Sequence, residues 1–519
     1  MSRVRLIAVT SLSALLALGA CSGDPLEPVD DWGKPTAGSS GWSDSEGKAD
    51  GLSGNPGLPT SVDSANTSVW EVRNQWHDTS TVEASQAGLA WSANSGLNWD
   101  EKYRAWVDSL ERIDCDDCFG DTFALTTPYG KTLPAPSLEC AEMAMFMRVA
   151  FASWYGLPYF IEGRMDGQRV FFGHFGIRTF SGRWRNTPRY KSVYPDFSHL
   201  SDDVAAGLTA WPSSQKLRDR KLFGAFDDDQ PQIGEDAHTG AYFDELFLNK
   251  RVGHFLMMHL VYFGSVNLAD PANMYNLKPE ASLPGDVVVK RYQQTGIGHT
   301  LLVKNRNDYP DADVDGELLP QFDLELASGS MPRRQPQWSS TTSSKSSVTA
   351  DAAGGPEHGT FGGGMKRYRV ARSVGGKWTN VVLPGDADNW VKSSNIDAME
   401  GRTDEFEKMF VELSAEEKLE ALLEGVEVER AWLRDHPSSC AARTRREETF
   451  EQIYELGHEL DMTREEIDAE HRLFEDYVLA ELVYNQSKTC CWNSTNRAMF
   501  DIIIAKALAD EEAAGQCLQ

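Results

Sequence analysis

The chain has 519 residues, 41% of them hydrophobic, and a formal net charge of −28. That length allows a large buried core and two or more domains. The acidity excludes a nucleic-acid binder, because phosphate backbones demand a basic surface.

The first 21 residues read as a targeting segment. Arg3 and Arg5 precede an apolar run, Leu6 to Leu18, that is too short to span a bilayer, and small residues then lead to Cys21. The stretch Leu18-Gly19-Ala20-Cys21 resembles the lipobox of a bacterial lipoprotein signal peptide. The resemblance implies cleavage before Cys21 and lipidation of its thiol and new amino terminus. Ser22, in place of a retention aspartate, favours the outer membrane. No other run is long enough to cross a bilayer. The membrane is therefore expected as a partner only through the lipid anchor.

Residues 22–66 are rich in Gly, Ser, Pro and Asp with few aliphatics, the composition of a tether. In "NWDEKYRAWVDSLERI" the spacing of Tyr103, Trp106 and Leu110 predicts a helix. A second helix is expected over 137–155, with Ser137 as its cap. Its buried stripe would be Cys140, Ala144, Met147 and Phe151, and Gly156-Leu157-Pro158 would end it. "QRVFFGHFGIRTF" alternates like a strand, residues 180–240 show little periodicity, and 242–263 reads as one apolar helix. "LPGDVVVKRY", "GIGHTLLVKN" and "QFDLELASGS" are three strand-like runs. Residues 339–364 form a low-complexity loop, and "MKRYRVARSV" with "KWTNVVL" suggests a hairpin. From about 400 the chain is helical, with Ser414–Glu417 and Thr463–Glu466 matching capping boxes.

Four features follow one another: Tyr129-Gly130, Cys140 at a helix start, Pro284-Gly285-Asp286 before a strand, and His299 opening the next strand. In this order they resemble the NlpC/P60 family of papain-like cysteine hydrolases. The resemblance implies an α+β fold of the papain-like (NlpC/P60) type. Its cysteine stands at the N-terminus of a helix packed on an antiparallel sheet, and a helical domain follows at 400–519. The papain-like domain would run from 67 to 395 with a large insertion at 163–280. Carried across, Cys140 is the nucleophile, His299 the base and Glu325 the group orienting it. Tyr129, with Glu139 beside the thiol, lies near the substrate carbonyl and the oxyanion. Such a thiol needs a base within hydrogen-bond reach, a third group to fix that base, and donors for an oxyanion.

The family's Asp-Cys-Ser-Gly reads Glu139-Cys140-Ala141-Glu142 here, and two flanking carboxylates would oppose a thiolate unless they point away. The expected activity is amide hydrolysis in a peptide or peptidoglycan-type substrate. "CAEMAMFMRVAFASWYGLPYFIEG" also resembles the transglutaminase-like pattern, which implies acyl transfer to an amine with Asp323 or Glu325 as the acid. A catalytically inactive papain-like module is the third alternative, with the C-terminal helices offering a surface for a protein partner. His174 is a competing base, and Cys140 on its apolar stripe also reads as plain core.

No cofactor is required by this chemistry. Asp311, Asp313 and Asp315 match positions one, three and five of a structural calcium loop, although position twelve is Phe322; an acidic turn is the competing reading. Cys115 with Cys118, and Cys440, Cys490, Cys491 and Cys517, read as disulfide candidates whose pairing the spacing leaves open.

Overall fold

The computed structural model describes residues 57–519 apart from 87, 114–121, 166, 185–186, 223–227, 293–296, 331–332, 340–343, 346–363, 393–394, 412, 436, 438–439, 481–496 and 518–519. Cys21, most of the expected tether, Cys115, Cys118, Cys490 and Cys491 lie outside the described residues. The chain enters the fold at β1 (Leu58–Pro59), so residues 57–66 are structured where tether was expected. Asp63 is the reason: its carboxylate accepts from Trp378 Nε1 at 3.0 Å and lies 3.1 Å from His174 Nε2.

Helix α1 (Trp99–Asp108) opens with an Asn98–Glu101 capping box and buries Trp99, Tyr103 and Trp106. A small sheet, β2 (Arg112–Ile113), β3 (Thr122–Thr126) and β4 (Thr132–Pro134), leads to α2 (Cys140–Trp154). Nearly every residue of α2 is buried, because apolar residues dominate it, its two charged side chains, Glu142 and Arg148, are paired with Arg333 and Asp100, and it forms the centre of the main core. It stops where the sequence indicated, at Gly156 with φ +59°.

The expected insertion begins with a four-stranded sheet, β5 (Phe160–Met165), β6 (Gln168–Gly173), β7 (Gly176–Thr179) and β8 (Gly182–Arg183). The single strand expected around His174 is thus a hairpin. Gly176 permits the turn, with φ +92° and its backbone so close that a Cβ would sit 2.3 Å from the Thr67 carbonyl. The single helix expected over 242–263 is α3 (Thr239–Leu246) and α4 (Lys250–Tyr262), because the Asn249 side chain accepts from Arg251 N–H and starts a second helix. A short α5 (Ser265–Ala269) follows.

The remaining strands are β9 (Met274–Leu277), β10 (Val287–Tyr292), β11 (Ile297–Val314), β12 (Glu317–Ser328), β13 (Gln337–Ser339), β14 (Gly364–Tyr368), β15 (Val370–Val374), β16 (Lys377–Val381) and β17 (Trp390–Val391). Seven of them form an antiparallel sheet in the order β13-β12-β11-β10-β14-β9-β17, while β1, β16 and β15 form another. The large sheet is covered on both faces. Val287, Val289, Leu302 and Ala327 join the core of α2. Val288, Leu301, Val303, Leu324 and Leu326 meet Phe406, Met409 and Phe410, carried by or adjoining α6 (Ile396–Met409). That helix therefore packs on the sheet, although the expected helical domain began at 400.

Helices α7 (Ala415–Asp435), α8 (Cys440–Gly457), α9 (Arg464–His471), α10 (Phe474–Ala480) and α11 (Arg497–Cys517) close the chain around small cores of their own. Both expected capping boxes are formed. The architecture is α+β, with antiparallel sheets and a helical C-terminus.

Candidate functional site at the start of helix α2

Three distant segments fix the first turn of α2. The Gln230 amide clamps Ser137, accepting from its N–H and donating to its carbonyl, both at 2.9 Å. Ser137 is thus held from outside and does not cap the helix; Glu139 is the N-cap, and its N–H donates to the Glu142 carboxylate at 2.8 Å. Leu138 N–H donates to the Arg334 carbonyl at 2.9 Å. Gly329 presses on the same peptide, and a Cβ there would lie 2.1 Å from the Leu138 carbonyl oxygen.

Cys140 is the first residue of the helix and only 4% exposed. Its two acidic neighbours are both buried, and Arg333 answers them. The guanidinium donates to Glu142 at 2.9 and 2.7 Å and lies 3.5 Å from Glu139. One cation thus offsets part of the charge of the two carboxylates expected to oppose a thiolate, most directly that of Glu142. Arg334, the next residue, lies within electrostatic range of Cys140. Its guanidinium is pushed down to about 10 by burial, with Glu429 opposing that shift. A helix N-terminus and a guanidinium both favour an anion at this position.

His299 lies on β11 opposite Lys290. Its Nε2 is 3.4 Å from Ser328 Oγ, which is itself 2.8 Å from the Thr300 carbonyl. Side chains alternate along a strand, so His299 shares the sheet face of Leu301 and Val303. Helix α2 packs against the other face, with Leu302. The structural link between Cys140 and His299 runs through Ser328 and Gly329 at the end of β12. Thr300 is the strand residue turned to the α2 face.

Glu325 is not brought to His299. The register pairs it with Asn305, six residues along β11, or about 20 Å at the rise of a strand. Its carboxylate accepts from Trp338 Nε1 at 2.6 Å on the α2 face. Asp323, the other candidate acid, accepts from the Tyr309 hydroxyl at 2.9 Å. Tyr129 is also elsewhere. It sits on the β3–β4 turn beside Trp211 and within electrostatic range of Tyr155, at the far end of α2 from Cys140. His174 is a buried turn residue held by Tyr159 and Asp63.

Asp311 and Asp313 lie in β11, and Asp315-Gly316 is the two-residue hairpin turn, with φ of +56° and +86°. Asp313 accepts from Gly316 N–H at 2.8 Å. The segment is thus strand and turn in place of the expected calcium loop. Among the described residues no group of three His, Cys, Asp or Glu is placed to hold a metal ion.

Sequence reasoning missed Arg333, Arg334 and Lys304. Lys304 is fully buried beside Trp338, donates to the Asp108 carbonyl, and is pushed down to about 8 by burial against the pull of Asp108 and Glu325. The paired arginines of "MPRRQPQW" carried one signal: two glutamates flanking a buried cysteine need a cation. No protein-family model matches the chain, and neither a curated protein nor a solved structure shows significant similarity to it.

Proposed function

We propose that the chain is a cell-envelope lipoprotein, anchored at Cys21, whose papain-like body is a thiol hydrolase of amide bonds in peptides of the peptidoglycan type. The observation that carries this reading is Cys140 at the first position of α2, with Arg333 paired to Glu142 and 3.5 Å from Glu139. Cys140 attacks the carbonyl carbon, N–H groups of the first helical turn receive the oxyanion, and the leaving amine takes a proton. Water then hydrolyses the thioester. His299 is the proton carrier under this reading, positioned by Ser328.

The test is release of new amino groups from purified peptidoglycan. Wild-type protein releases them, and Cys140→Ala and His299→Ala each abolish release. Turnover surviving in Cys140→Ala overturns the reading. Amine incorporation into protein without hydrolysis would favour the acyltransferase alternative.

A second reading, a papain-like module that binds without catalysis, is favoured by His299 lying on the sheet face opposite α2. It predicts no turnover in the wild type together with retained binding to the same peptidoglycan.

A further inference from the structure

The four-stranded sheet β5–β8 is a basic island in an acidic chain. From Phe160 to Lys191 the sequence holds seven Lys or Arg and two Asp or Glu, against 50 and 78 in the whole chain. The register gathers this charge further. Arg164 stands opposite Arg169 across β5 and β6, Phe171 opposite Arg178 across β6 and β7, and Arg178 opposite Arg183 across β7 and β8. Facing residues share a side of the sheet and side chains alternate along each strand, so the four arginines and Phe171 lie on one face. Ile161, Val170, Phe172 and Ile177 take the other face and join the main core. Like charges directly opposite one another destabilise a sheet, and Glu162, on the arginine face, pairs with Arg169. Burial and the Arg183 charge both push the Arg178 guanidinium below its ordinary value. Arg178 is fixed by donating to Thr67 Oγ1 at 2.9 Å, while Arg164 and Arg183 are exposed. Phe180 belongs to the same surface. Its ring lies 4.8 Å from that of Phe171, the Arg169 guanidinium carbon is 4.8 Å from its centre, and it is 43% exposed. Leu58 packs with Phe160 and Phe171, so the described chain begins beside this face.

We propose that this face is a second membrane contact, which binds the phosphate headgroups of an anionic lipid surface with Phe180 set among them. Planar guanidinium groups match phosphate oxygens in pairs. An exposed aromatic ring among cations suits the headgroup level of a bilayer better than a soluble acidic polymer. The same lipids repel the acidic remainder of the chain, and that repulsion turns the basic sheet toward them. The proposal rests on the envelope reading above in one respect: a lipid at Cys21 tethers the body from the side of Leu58 and so holds this face near the bilayer. It makes no use of Cys140.

The test is cosedimentation of the full chain carrying Cys21→Ser, which takes no lipid, with vesicles of phosphatidylcholine alone or mixed with phosphatidylglycerol. Binding to the mixed vesicles only, weakening as salt rises, is expected. In that background Arg178→Gln/Arg183→Gln should weaken binding about thirtyfold, and Arg183→Gln alone, at an exposed site, about fivefold. Phe180→Ser should weaken it several-fold and leave the salt dependence unchanged. Arg464→Gln/Lys506→Gln, which removes the same charge from exposed positions on α9 and α11, should bind as the parent does. Undiminished binding by the Arg178/Arg183 variants, an equal loss in the α9 and α11 control, or binding to phosphatidylcholine alone overturns the proposal. Capture of soluble dextran sulfate without vesicle binding also overturns it and assigns the face to an acidic polymer. Failure to bind, with lipid found on wild-type Cys21, sinks this proposal and leaves the anchor standing. Binding by the lipid-free chain, with no lipid on wild-type Cys21, sinks the anchor and leaves this proposal standing.

Discussion

Arg333 grips both carboxylate oxygens of Glu142 although 191 residues separate them. Both side chains are almost wholly buried, and Glu139 shares the same cation. Removing a buried cation strands its partners' charges, which costs about 3–5 kcal/mol. Arg333→Leu is therefore expected to lose that much stability in urea unfolding. The double variant Arg333→Leu/Glu142→Leu should recover a large part of it. A single variant within 1 kcal/mol of wild type would show that the pair is not formed in solution.

Gly329 fixes the distance between β12 and the helix start. A Cβ 2.1 Å from a backbone oxygen forces the two segments apart, and overpacking of this kind costs about 1–3 kcal/mol. Gly329→Ala should lower the unfolding midpoint and change the alkylation rate of Cys140 together. Gly316→Ala, strained by its φ of +86° but with nothing near its Cβ and far along the sheet from α2, should lower stability while leaving that rate at the wild-type value.

Ser328 is the contact of His299 among the residues nearest to α2. Ser328→Ala is expected to cut amide hydrolysis about tenfold, or about 1.4 kcal/mol of barrier, while alkylation of Cys140 stays unchanged. Equal turnover in this variant and wild type would remove Ser328 from the proton path.

Acid should weaken the fold through two neutral histidines. Burial holds both His254 and His259 down at about 3, with Arg220 and Lys216 adding to the effect at His254. The unfolded chain takes up these protons near 6.5, so between pH 6.5 and 3 it binds more protons than the folded chain. Stability therefore falls as pH falls across that window, by about 1.4 kcal/mol per pH unit for each histidine. His254→Phe, which keeps a ring against Tyr194, should flatten the fall between pH 6 and 4 by that amount in urea titrations.

Local signals in the sequence carried through to the structure. Pro284-Gly285-Asp286 proves to be an anchor. Gly285 has φ +86° and lies against Tyr103, while Asp286 caps Leu283 and takes two hydrogen bonds from Arg367. Gly156, both capping boxes and the helical stripe around Cys140 were equally legible, because each depends on residues within one or two turns. What was not legible depends on register and on long-range partners. The pairing of Leu302 with Ala327 and Val303 with Leu326, and the choice of β12 as neighbour, decide that Glu325 stands far from His299. Alternation fixes which face His299 takes, but only the packing of α2 and α6 tells which face is which. Arg333 meets Glu142 through tertiary folding alone, and the break at Asn249 was hidden by apolar residues on either side.

The entry of the chain at β1 has a mechanical consequence. Leu58 pairs with Trp378 and Pro59 with Lys377, and Asp63 is clasped by the Trp378 indole. A pull delivered from residues before Gly57 loads this two-residue edge and that clasp first. The load then passes along β16 to β15, at a sheet separate from the one that carries β11 and β12. Tension on an anchored chain would peel the edge before it disturbed the first turn of α2.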